Sequence, residues 1–132
     1  MTGRGWCLSV PHSARGARLA RHRMMAALTG TVTTEVLVDA AAVAAELVGN
    51  AVRHASPLLG GTIHVAWTSI DRNGVEIRVT DGGSSVAPEV QQANPDSVDG
   101  RGLTIVAALA SSWGVECDEG CQCVWAKVYG AG

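Results

Sequence analysis

The hydrophobic pattern of the chain has one dominant stretch. From Val36 to Ala55, Ala, Val and Leu recur with no Pro and one Gly, Gly49. A run of that length exceeds an ordinary strand and predicts a helix. At roughly 100° per residue, Val43, Ala44, Leu47, Val48, Ala51 and Val52 cover an arc of about 180°. That is too wide for a surface helix, so this one is expected to be largely buried. Glu46, Asn50 and Arg53 gather on the narrow remaining stripe, with His54 at its border, because positions four and seven apart share a face.

Shorter patterns flank it. Trp6 to Val10 reads as an edge strand ending at Pro11, and Ser13 is suited to cap a helix that runs to about Leu28 and stops at Gly30. Thr62 to Ile70 and Val75 to Val79 alternate at period two about Asp71-Arg-Asn-Gly74, whose Asn-Gly pair predicts an antiparallel hairpin. Ser84 to Asp99 is a long polar loop, and loops of that length inside a compact domain are usually functional. Gly100-Arg101-Gly102 is expected to open a second apolar helix, Leu103 to about Ser111. Trp113 to Cys117 and Cys121 to Tyr129 form a closing hairpin about Asp118-Glu-Gly120. The order strand-helix-helix-strand-strand-helix-strand-strand predicts an α+β fold. It is a two-layer sandwich whose mixed, mostly antiparallel sheet carries helices on one face, in a single domain over residues 1–132.

Composition narrows the class. With 132 residues, 47% apolar and 17% charged, the chain supports one globular core. Phe is absent and Tyr occurs once, so that core is built from Ala, Val, Leu, Ile and Trp. A formal net charge of -2 gives no global reason to expect nucleic acid. No apolar run reaches the ~18 residues of a membrane span, and the first residues lack a secretory apolar stretch. A cytoplasmic location is expected. Cys121-Gln-Cys123 is not a zinc-type pair and has no His nearby. The four cysteines are expected to be reduced, the alternative being a disulfide between Cys117 and Cys121 or Cys123. Arg15, Arg18 and His22 share a helix face, either a solvated surface or a docking face for an acidic protein or for phosphates.

Three separated segments invite one ligand. A carboxylate and a carboxamide one turn apart on a buried helix need partners, because an unpaired buried carboxylate costs several kcal/mol or becomes protonated. A helix cap or an internal ion pair of Glu46 with Arg53 would also answer that need. Asp81-Gly82-Gly83 ends a strand with backbone that a flat ligand can approach, or makes an ordinary turn. Gly100-Arg101-Gly102 offers unpaired amides at a helix start, an anion site or a plain junction. No GxxxxGK[ST] occurs, so a P-loop is excluded.

In that order, ELVGNAVRHA, VTDGG and GRGLTIV resemble the three nucleotide-binding boxes of the GHKL ATP-binding superfamily, which includes gyrase, histidine kinases and mismatch-repair ATPases. Ser112-Trp-Gly-Val115 and Val124-Trp-Ala126 extend the resemblance to the small stand-alone anti-sigma factor serine/threonine kinases, over about residues 6 to 128. The resemblance implies a Bergerat ATP-binding fold, with ATP and Mg²⁺ as cofactors. Asn50 would ligate the metal, and Glu46 would be the general base. Arg53 and His54 would flank the phosphates, Asp81 would accept the adenine amino group, and Gly83 would give the purine room. Gly100, Arg101 and Gly102, followed by Leu103 and Thr104, would close over the phosphates as part of a lid spanning about 84–102. Implied partners are an anti-anti-sigma protein with a STAS domain and a sigma factor, with homodimer pairing allowed through the first strand. The family's Gly-Lys-Thr before the last strand is replaced here by Cys121, Gln122 and Cys123, which puts a nucleotide contact from Cys123 in doubt. The alternative is a catalytically silent nucleotide-binding module that regulates transcription by complex formation alone.

Overall fold

The computed structural model describes residues 5–83 and 98–130, with side chains from 103 onward in the second segment. The elements follow the expected order: β1 (Gly5–Pro11), α1 (Ala14–Leu28), α2 (Thr34–His54), β2 (Thr62–Asp71), β3 (Gly74–Asp81), α3 (Val98–Leu109), β4 (Ser112–Asp118) and β5 (Cys121–Tyr129). The strands form one sheet in the order β1-β2-β3-β5-β4. Every pairing is antiparallel, so the expected mixed sheet resolves into an antiparallel one.

One face of the sheet is built by period-two alternation. Ile63, Val65 and Trp67 of β2, Val75, Ile77 and Val79 of β3, and Val124, Ala126 and Val128 of β5 are buried. The helices cover that face. α2 lies across the middle, with buried Val36, Ala40, Val43, Ala44, Leu47, Val48 and Ala51, the broad stripe its sequence predicts. α1 flanks α2 through Gly16, Ala20, Met24 and Leu28, and α3 flanks it through Leu103 and Val106. Truncating a fully buried Leu in such a core costs ~2–5 kcal/mol, so the packing of α2 fixes where its polar stripe points.

The helix ends obey local chemistry. Thr33 Oγ1 accepts from Val36 N–H at 3.3 Å and caps α2. Arg53 and His54 in its last turn complement the helix dipole, and Pro57 two residues after Ala55 forbids continuation. Gly30, at φ 82°, ends α1, whereas Ser13 makes no side-chain cap.

Two hairpin turns differ in kind. Glu119 and Gly120, at φ 43° and 84°, form the two-residue β4–β5 turn, the pair of positive φ values that suits the twist of a hairpin. The β2–β3 turn is centred on Arg72-Asn73 instead of the expected Asn-Gly pair. Asp71 faces Gly74 across the ladder, and Asp71 Oδ1 accepts from Asn73 N–H at 2.6 Å. Gly74 serves packing, because a Cβ there would come within 2.7 Å of the Tyr129 ring. Among the described residues no helix is long and apolar enough to cross a membrane.

Candidate functional site

α2 presents the expected polar stripe toward its C-terminal end. Glu46 is half-buried, Asn50 is buried at 6% exposure, and Arg53 and His54 are exposed. No ion pair joins Glu46 to Arg53 among the described residues. The Arg53 guanidinium lies back over Gly49, where an added Cβ would sit 3.3 Å from Nη1. The internal ion pair therefore does not account for Glu46. Asn50 Oδ1 is buried with no hydrogen-bond partner. A buried amide oxygen without a donor costs about 1–3 kcal/mol, and such an oxygen suits a hard cation of octahedral preference. The residues present thus fit a magnesium ion at Asn50.

Asp81 ends β3 at 1% exposure. Its Oδ1 accepts from Gly83 N–H at 2.7 Å, and Oδ2 has no partner among the described residues. Burial pushes the carboxyl above the usual carboxylate range, against the lowering effects of the Gly83 N–H and of His12. The segment after α2 is clamped to the same strand end. Gly82 N–H donates to Ser56 O at 2.7 Å, and Ser56 N–H donates to Gly83 O at 3.0 Å. That clamp explains Gly82, since a Cβ there would lie 2.3 Å from Pro57 O. Gly83 has φ 94°, and its Cβ would meet Gly120 O at 2.8 Å, so its backbone is what the β4–β5 turn requires.

His12 was not singled out by the sequence. It follows β1 and reaches under the site, its Nε2 lying 2.8 Å from Ala55 O and 3.2 Å from Ala51 O. It ties the last turn of α2 to the start of α1 and favours the ionised form of Asp81. A His after a strand-ending Pro carries no sequence signal for such a position.

An open cleft of about 820 Å³ lies beside these residues. Arg53 and His54, Ser56, Gly82 and Gly83, and the β4–β5 hairpin with Cys117 and Gln122 enclose it. The cleft brings together three predicted residues, Arg53, His54 and Gly83. Asp81 lies in the strand beneath, and Asn50 and Glu46 lie one and two turns back along α2, about 6 and 12 Å from His54 by helix rise.

Strand parity corrects the expectation for Cys123. Gln122, opposite Asp81 in the ladder, is in phase with Val124, Ala126 and Val128 and faces the helix layer, buried at 5% exposure. Cys123, opposite Thr80, belongs to the other face. The residue beside Asp81 is thus Gln122, and the alternation of the last strand held the signal for it. The same parity sets Cys117, opposite Gln122, on the face opposite Cys121 and Cys123. All four cysteines are free, so the hairpin disulfide does not form.

α3 begins at Val98, so Gly100, Arg101 and Gly102 lie within its first turns instead of ahead of it. Their side chains, and residues 84–97 of the expected lid, lie outside the described residues. Leu103 is buried at 3% exposure and Thr104 is exposed. On α1, Arg15, Arg18 and His22 are all exposed.

The fold has counterparts among known proteins. The family model for the histidine kinase-like ATPase domain matches residues 10–128. No curated protein matches the chain. Among solved structures it is similar to the crystal structure of the RsbU and RsbW domains of Rv1364c from Mycobacterium tuberculosis, with a TM-score of 0.70 at 19% identity. That match covers 96% of this chain and 32% of the other, so the chain spans about a third of that protein's length and the likeness concerns the fold.

Proposed function

The chain belongs to the histidine kinase-like ATPase domain family, and on that premise we propose that it is a regulatory serine/threonine protein kinase dependent on ATP and Mg²⁺. Its substrate would be an anti-anti-sigma protein with a STAS domain, and its other complex would sequester a sigma factor. The observation that carries this reading is Asn50 Oδ1, buried on the central helix without a partner, one turn after Glu46. A helix built only to pack would not keep that oxygen idle at a cost of about 1–3 kcal/mol.

The roles follow from placement. Asn50 would hold the cation through its amide oxygen. Magnesium, when bound, neutralises charge on the β- and γ-phosphates. Glu46 lies about 6 Å before Asn50 along the helix and accepts the proton of the attacking hydroxyl. The new bond forms between that oxygen and the γ-phosphorus as the bond to the β–γ bridging oxygen breaks, and ADP leaves. Asp81 accepts from the exocyclic amine of the purine, Arg53 supplies positive charge at the cleft, and His54 lines it beside Arg53. Gly100, Arg101 and Gly102, in the first turns of α3, serve the phosphates, whereas the amides of Leu103 and Thr104 are already bonded within the helix.

Incubation with γ-labelled ATP and candidate STAS-domain proteins tests the proposal directly. Label on a partner Ser or Thr supports it, and nucleotide binding with no label on any partner leaves only a silent binding module. The departure at Cys121 to Cys123 does not favour that module, since Cys123 faces away from the helix layer.

A further inference from the structure

Gln122 is buried beside Asp81 and lines the cleft. The two residues oppose each other in the β3–β5 ladder, and directly opposed residues carry their Cβ atoms about 4.5–5.5 Å apart. The Oε1 of Gln122 is approached by the thiol of Cys117, a weak donor, at 4.0 Å. Its Nε2 has no protein partner among the described residues, although the side chain is 95% buried by its 5% exposure and lines the cleft. On Asp81, Gly83 N–H occupies Oδ1, and no other described residue donates to the carboxylate. The floor of the site therefore presents an acceptor next to a donor.

The edge of a 6-aminopurine presents the reverse order: an N–H donor flanked on each side by a ring nitrogen that accepts. A 6-keto purine would set a carbonyl oxygen against the Asp81 carboxylate and leave that acceptor unsatisfied, and its N1, which carries a hydrogen, would oppose a donor placed on that side, which a buried site penalises. We propose that Gln122 is a specificity-determining residue of the nucleotide site, donating from Nε2 to a ring nitrogen that flanks the exocyclic amine accepted by Asp81. The inference rests on the nucleotide reading above and deepens it, since it names a second group that reads the base beside Asp81.

Calorimetric titration of the intact chain and of Gln122→Met with ATP, 1-deaza-ATP and 7-deaza-ATP tests it. The wild type is expected to bind one of the two analogues roughly five- to tenfold more weakly than ATP, the scale of one hydrogen bond. Gln122→Met is expected to show that loss with ATP and to be indifferent to the same nitrogen-to-carbon change. A variant that weakens all three ligands equally, or a wild type that binds both analogues as tightly as ATP, overturns the proposal. If Gln122→Met does not fold, Gln122→Thr, which suits a strand, goes through the same cycle. Failure of the wild type to bind ATP at all would overturn the nucleotide reading and this inference together, whereas binding without coupling overturns this inference alone.

Discussion

Replacing Asp81 by Asn separates the needs of the fold from those of the ligand. Asp81 is 1% exposed, and burial raises its carboxyl above the ordinary value of 3.8 despite the Gly83 N–H and His12. A raised folded-state value means that the proton stabilises the folded chain. That contribution is fully present below about pH 3.8 and is lost as pH rises through the raised value, so at pH 7 the ionised carboxylate works against folding. Asparagine mimics the protonated form, and its Oδ1 still accepts from Gly83 N–H. Asp81→Asn is therefore expected to melt higher than the wild type at pH 7, by about 3–6 °C for each kcal/mol gained. The gap should close as pH falls toward 4. Nucleotide binding should move the other way. The variant sets an amide N–H₂ against the purine amine in place of a charged acceptor, and a hydrogen bond to a charged group is worth ~1.5–3 kcal/mol. That corresponds to roughly 10- to 150-fold weaker ATP binding. Thermal melts from pH 4 to 8 and titration calorimetry read both quantities. A variant that melts lower at pH 7, or that binds ATP unchanged, would refute the reasoning.

Three further outcomes follow from the same geometry. Asn50→Ala should remove the Mg²⁺-dependent part of ATP affinity while leaving the chain without ligand as stable as the wild type or more so, since it deletes a buried oxygen that has no protein partner; titration with and without magnesium reads the first quantity and denaturant unfolding the second. Glu46→Gln should keep nucleotide affinity and slow label transfer by roughly 10²- to 10⁴-fold, the usual worth of a general base, and equal turnover would remove Glu46 from that role. Gly82→Ala drives a Cβ to 2.3 Å from Pro57 O and should break the Ser56 clamp. It should cost about 1–3 kcal/mol, seen as a lowered Tm and, with the strand end displaced, weakened ATP binding.

The central helix, the two hairpins and the helix-on-one-face architecture were legible because each rests on local periodicity. The broad apolar stripe of α2 stands in the spacing of Val43, Leu47 and Ala51, and the alternation of β2 and β3 needs no knowledge of their neighbours. The cluster of Glu46, Asn50 and Arg53 follows from helix geometry alone. Where two local signals competed, the sequence misled. Asn73-Gly74 has the composition of a positive-φ turn, yet the Asp71 side chain and the Tyr129 ring moved the turn one residue back and used Gly74 for packing.

By itself the sequence determined the order of elements and which polar groups ride on α2. Tertiary structure alone decided what those groups lack and what stands beside them. That Asn50 Oδ1 has no donor, that His12 reaches the carbonyls of Ala51 and Ala55, and that Gln122 rather than Cys123 stands next to Asp81 all depend on packing between segments far apart in the chain. The physical reason is range. A helix or strand period is set by neighbours a few residues away, whereas a hydrogen-bond deficit is a property of every element that closes around an atom.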